Sequence, residues 1–246
     1  MKPHRTSPPP LLPSPVHLVS VNVGVPRANP WKSAGTTGID KRPVAEPVLV
    51  TAPAPKGAGD VGLAGDHAYD VGHHGGTDQA VYAYASEDFA AFAYRVGRPL
   101  RPGRDFGENL TTSGLDVNGA IVGERWRVGS DVVLEVSCPR IPCATFEGWI
   151  GVPGWNRFFL LEARPGAYLR VISPGHVKSG DPICVISRPE HEVTVAVAFR
   201  ALTLEPALLP RLRVATALPE ESRRLIARRL DSPLNDSVFS PGTSTP

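Results

Sequence analysis

What this 246-residue chain lacks narrows it first. It holds no apolar run approaching the roughly 20 residues that span a bilayer, so no membrane partner is expected. No signal peptide is expected either: Met1 to Pro15 carries Lys2 and Arg5, then breaks into prolines where an apolar stretch should stand. Cysteine is scarce and odd in number, 3 residues, which gives no disulfide framework and suits reduced thiols in a soluble cytoplasmic protein. Charge of one sign is missing too. Its 26 Lys+Arg against 24 Asp+Glu leave a net +2, which argues against a nucleic-acid-binding surface. No Gly-x-Gly-x-x-Gly joins a strand to a helix, so the chain carries no dinucleotide fingerprint of its own.

Proline (27) and glycine (24) are plentiful, as they are where many short strands are joined by turns. The fold class expected is mainly β with peripheral helices, a closed or nearly closed β-barrel. Residues 1–15 and 231–246 are low-complexity and read as disordered tails. Between them, 16–192 forms the barrel domain and 193–230 a three-helix segment. Strands are read at Val16–Val25, Val44–Thr51, Ala80–Tyr84, Trp155–Leu161, Gly166–Ser173 and Ile183–Arg188, with Pro26–Thr37 a loop. Ser86 is expected to cap a helix whose stripe is Phe89, Phe92, Ala93 and Val96, and which ends at Gly97. Short helices are expected at Thr145–Ile150, Val195–Leu202, Pro206–Ala215 and Pro219–Leu230. The last has Glu220 and Glu221 at its start and Arg228 and Arg229 at its end, in accord with the helix dipole.

Two stretches carry chemistry. In the first, an alternating strand places Val132, Leu134, Val136 and Cys138 on one face. Pro139 and Pro142 then take the backbone out of the sheet, so Cys143 stands on a stiff turn with Arg140 three residues before it. A neighbouring cation lowers a thiol pKa, as a reactive or metal-bound sulfur requires. Cys138 and Cys184 read as core. In the second stretch, Asp66, His67, Asp70, His73, His74 and Asp78 place six potential metal ligands within 13 residues, in no standard zinc spacing. Gly75 and Gly76 suggest a different use, a cradle whose backbone N–H groups meet an anion, with His74 and Thr77 as side-chain donors. A zinc or iron site and a plain tight turn stay open as readings of these residues.

The run Ser137-Cys138-Pro139-Arg140-Ile141-Pro142-Cys143 resembles the cysteine signature of MOSC domains. Three further motifs fall in the order of the YiiM-like branch: His74–Ala80, Phe106–Leu110 and Pro165–Val171. The resemblance spans about Leu18 to Leu230 and implies a MOSC-type barrel followed by a small three-helix appendage. It also implies a molybdenum cofactor (Mo-molybdopterin), with Cys143 as metal ligand and catalytic residue. Lys41, His74, Gly75, Gly76, Asn109, Arg140 and Arg170 would then hold the pterin and phosphate. The implied reaction is reduction of a small N-hydroxylated substrate to its amine, with electrons from an external flavoprotein or haem partner. The alternatives are a cofactor carrier or sulfur-transfer protein using Cys143, and a zinc or iron protein built on Asp66–Asp78. Gln79 stands where relatives are expected to carry a longer or basic residue. Monomer and homodimer are both compatible with the chain.

Overall fold

The computed structural model describes residues 15–231, so the expectations for the two tails lie outside the described residues. In chain order the elements are β1 (His17–Asn29), β2 (Gly35–Pro43), β3 (Val48–Val50), β4 (Val81–Ala85), α1 (Phe89–Val96), β5 (Leu110–Ser113), β6 (Arg125–Val128) and β7 (Val132–Pro139). There follow α2 (Ala144–Ile150), α3 (Trp155–Glu162), β8 (Ala167–Ser173), β9 (Gly175–Val177), β10 (Ile183–Ser187), α4 (Val195–Thr203), a 3-10 segment (Pro206–Val214) and α5 (Glu220–Asp231). Among the described residues no helix is long and apolar enough to cross a membrane.

Eight strands hydrogen-bond in the order β10-β6-β7-β8-β4-β5-β1-β2, and β3 pairs separately with β9. β10, at one end of this order, meets β1, which is next to last at the other. His17 bridges Pro182, Leu18 N donates to Asp181 O at 2.9 Å, and Ile183 N donates to Val16 O at 2.9 Å. The start of β1 therefore lies against the entrance to β10, and seven strands form a ring closed by this narrow seam. β1 serves two partners in succession: His17–Val21 pairs with β5, and Asn22–Asn29 pairs with β2.

Three apolar cores share the molecule, one of them under α4, the 3-10 segment and α5, where Ala198, Leu212 and Ile226 pack. Inside the ring pack Leu18, Leu110, Trp126, Leu134, Val136 and Leu169, each 1% exposed or less. Outside it, Tyr82 and Tyr84 project from β4 on the side opposite Val81, Ala83 and Ala85, which is why all five β4 residues are buried. Those tyrosines meet an aromatic cluster that seats α1, α2 and α3. At its centre Phe106 takes the rings of Phe92, Phe146 and Trp155 at 5.2, 5.3 and 5.9 Å, all edge-on.

The structure departs from the sequence reading in four places. The loop expected over Pro26–Thr37 is the β1–β2 hairpin. Pro26 is accommodated because the register shifts between Val25 and Arg27, a bulge that needs no N–H from proline. Trp155–Glu162 is a helix, with Trp155 and Phe159 fully buried at i and i+4. Ser86 opens a 3-10 turn before α1 and bonds Glu87, so it caps nothing; Gly97 does end α1 in left-handed geometry. Cys184 is exposed because it pairs across the ladder with Arg127 on the outer face of β6.

Candidate functional site

Cys143 keeps extended geometry (φ −133°, ψ 170°) immediately before α2, so its side chain leaves the chain beyond the end of β7. It lines a cleft of ≈ 120 Å³, or ≈ 750 Å³ when the open mouth is counted. Its walls come chiefly from β2, the stretch from Asp66 to Gln79, the turn Phe106–Asn109 and the turn from Arg140 to Thr145, with Asn29 of β1, Val61, Tyr82 of β4 and Tyr168 of β8 between them.

Arg140 is the cation at the centre of this geometry. It is 7% exposed, stacked 3.8 Å above the Phe146 ring and 5.1 Å from that of Tyr82, and its Nη1 donates to the Phe106 carbonyl. The ring faces and the carbonyl fix the guanidinium while leaving its charge uncancelled. Burial alone would push the Cys143 thiol up. A hydrogen bond from His74, the Arg140 charge and the Phe146 N–H outweigh it and bring the thiol from its ordinary 9.0 down to about 6. Cys138, buried on the strand, is pushed up to about 11 by the same desolvation without such compensation. Near neutral pH one of these two cysteines is therefore a thiolate and the other a thiol.

The opposite wall is organised by Asp66. Its carboxylate accepts from the Lys41 ammonium, from Asn109 Nδ2 at 2.6 Å and from Gly24 N at 3.0 Å. Gly24 is needed for this contact, since a Cβ there would stand 2.4 Å from Asp66 Oδ1. Asn109 spends its second amide hydrogen on Asn22 O and its oxygen on Tyr82 N, so it braces the wall and has no donor left for a ligand. Lys41 lines the cleft but arrives there already paired.

The glycine turn also differs from a simple anion cradle. Gly75 lines the cleft, whereas a Cβ at Gly76 would meet Lys56 N at 2.5 Å; the close approach there is to the chain itself. The N–H groups of His74 and Gly76 donate to Asp70 O and Asp60 O. Arg170 stands outside the cleft lining, held by Asp78 at 2.6 Å and Glu135 at 3.1 Å on the outer face of the barrel. The cleft thus gathers Lys41, His74, Gly75, Asn109, Arg140 and Cys143, and leaves Gly76 and Arg170 aside. Asp66 and Asp70 are taken up by Lys41 and Lys32, and among the described residues no three His, Cys, Asp or Glu side chains gather as a metal site. Residues that sequence reasoning passed over include Tyr82 and Tyr168, cross-strand partners with ring centroids 5.2 Å apart, and Thr145, which bonds Asn29. Their only signal was a polar tip on an otherwise apolar strand or helix.

The MOSC domain pattern matches residues 70–184, from the cleft rim through Cys143 into β10. Protein YflK of Bacillus subtilis, which is uncharacterized, is 31% identical over 74% of this chain and 79% of its own length. The chain belongs to the MOSC domain family. Protein YiiM of Escherichia coli is 29% identical over 72% of the chain and 81% of its own length. The crystal structure of YiiM from Geobacillus stearothermophilus superposes with a TM-score of 0.71 at 29% identity, covering 88% of this chain and all of that one. A protein named Reductase from Gibberella moniliformis is 28% identical over 84% of the chain, but the match spans only 36% of that longer protein. The MOSC match covers the strand that carries Cys138 and the turn that presents Cys143.

Proposed function

We infer that this MOSC protein is a molybdenum cofactor-dependent oxidoreductase that reduces N-hydroxylated compounds to amines. The observation that carries the reading is the Cys143 thiolate, presented in an open cleft between His74 and a buried arginine. Three features of the cleft suit the cofactor. A thiolate is the soft ligand that a sulfur-coordinated metal takes. Among the described residues Arg140 makes no ion pair with a carboxylate, and beside the Cys143 thiolate it is a buried cation suited to an anion such as the cofactor's phosphate. Gln79 lines the cleft with a buried Oε1 that has no partner, an acceptor suited to a pterin N–H.

When bound, the cofactor supplies the two-electron chemistry that breaks an N–O bond. The chain's own residues bind and orient. Cys143 offers its sulfur, and His74 and Arg140 favour its thiolate form. Arg140 brings positive charge to the wall, Lys41 stands there paired with Asp66, and Gly75 leaves room beside them. Tyr168, pushed up to about 12 by burial, keeps its hydroxyl proton at every physiological pH. The fungal relative named Reductase supports an oxidoreductase role. The match spans only 36% of that protein, so its whole activity is not carried over; the electrons are proposed to come from a flavoprotein or haem donor.

The test is molybdenum content and N-hydroxyl reduction, with a reduced artificial donor, for protein made anaerobically in a host that synthesises the cofactor. Cys143→Ser is expected to abolish reduction while the protein still folds, because serine offers a hard, protonated oxygen in place of the thiolate. Wild-type rates in Cys143→Ser would sink the reading. Persulfide sulfur on Cys143 with no molybdenum would identify a sulfur-transfer protein instead.

A further inference from the structure

Behind the turn that holds Gly75 lies a second cavity, of ≈ 80 Å³. Its lining is polar: Lys56, Thr77, Asp78, Glu221 and Ser222, with Cys138 the one thiol. Gly75 and Gln79 belong to the walls of both hollows, so the turn between them is the partition. Gln79 stands in that partition with its buried Oε1 unpartnered. On the far side the cavity is spanned by the ion pair of Lys56 Nζ and Glu221 Oε2 at 3.0 Å, with the Glu221 side chain 80% exposed. A single water needs about 10–15 Å³ of such space and two or more polar partners, so this cavity suits several.

The reaction inferred above makes a demand on this architecture. Breaking one N–O bond and forming one N–H bond consumes two electrons and two protons and releases one water. The electrons come from the flavoprotein or haem donor. With cofactor and substrate filling the mouth of the cleft, protons and water need another way through.

We propose that the cavity behind Gly75–Gln79 is a water passage into the cleft, which delivers protons past Gln79 and removes the product water, with Lys56–Glu221 as its outer gate. This rests on the reading of the reaction given above. Thr77 and Ser222 hydroxyls offer both a donor and acceptors along the way. The Asp78 carboxylate is held by Arg170, which places a fixed charge at the wall and leaves the passage itself to neutral groups and water.

Ser222 lies on α5, outside the cleft, and leucine there fills the cavity while favouring the helix. Two measurements are made on cofactor-loaded protein carrying Cys184→Ala. The first is labelling of Cys138 by methyl methanethiosulfonate, resolved by peptide mass spectrometry, which reports access to the cavity without any turnover. The second is steady-state reduction of an N-hydroxylated substrate. Ser222→Leu is expected to slow Cys138 labelling about tenfold and to lower kcat about tenfold, with KM and molybdenum content unchanged. Ser222→Ala is expected to match wild type in both. Unslowed labelling in Ser222→Leu overturns the cavity as a way in from solvent. Slowed labelling with wild-type kcat overturns the passage alone. A loaded wild type that reduces no N-hydroxylated compound overturns the reaction, and the passage role with it, while the labelling result still stands on its own.

Discussion

The acidity of Cys143 can be tested without any cofactor. An ordinary thiol titrates near 9.0 and Cys143 near 6, so at about pH 7 the former is about 1% thiolate and the latter about 90%. Alkylation by iodoacetamide in a Cys184→Ala background reads this fraction, with Cys138, pushed up to about 11, followed separately by peptide mass spectrometry. The rate plotted against pH is expected to inflect near 6. His74→Ala removes the foremost of the groups holding the thiolate, and the inflection should rise by about 1–2 units. The same shift has a consequence for folding. A depressed pKa stabilises the fold in full above the ordinary thiol value of 9.0, progressively less below it, and not at all once the pH has fallen through 6. Three units amount to at most about 4 kcal/mol. The stability of wild type relative to Cys143→Ser should therefore grow as pH rises from 6 to 9.0, as read by urea unfolding at each pH. An inflection near 9.0 in wild type, or one that His74→Ala leaves in place, would refute the assignment of the field to His74 and Arg140.

Other outcomes follow from single contacts. Gly76→Val puts a Cβ within 2.5 Å of Lys56 N at a backbone φ of 76°, so urea unfolding should show a loss of about 1–3 kcal/mol; an unchanged midpoint would reduce this turn to an ordinary one. Cys138→Ser buries a hydroxyl where a thiol packed, at a cost of about 1–3 kcal/mol if it finds no partner, and Cys143 alkylation should keep its wild-type pH profile. Arg170→Met breaks the contacts to Asp78 and Glu135 and is expected to lower Tm while leaving molybdenum content within error of wild type; a loss of metal with unchanged Tm would return Arg170 to the cofactor site.

The sequence was most legible where local rules decide. Alternation from Val132 to Cys138 and the two prolines after it were enough to separate a buried cysteine from a presented one, because strand period and proline geometry act over neighbouring residues. Asp66 shows the opposite case. Its partners stand at Gly24, Lys41 and Asn109, and nothing in the Asp66–Asp78 stretch announces them, so a metal site stayed open as an alternative there although Asp66 is spent on those partners. The helix at Trp155–Glu162 was missed because a short apolar run fits either period; burial of Trp155 and Phe159 with Leu161 64% exposed picks the helical one. Cys184 was misplaced because the face of a strand depends on its register, and only the pairing with Arg127 sets that.

The seam that closes the ring also fixes how the chain must assemble. His17 opens the first strand of the barrel and Pro182 precedes its last, whereas β6 and β7 are joined by a local turn. Loop-closure entropy delays such a pairing until the intervening strands are in place, so it forms late and slows folding. Proline on one side of the seam can donate no hydrogen bond, which keeps the junction short. In hydrogen exchange the amides of Leu18 and Ile183 should accordingly lose protection before those of β7, and the barrel should open there first. That opening lies at the far end of β1 from Asn29, up to roughly 40 Å along the strand, so the chain can loosen without disturbing the wall that holds Cys143.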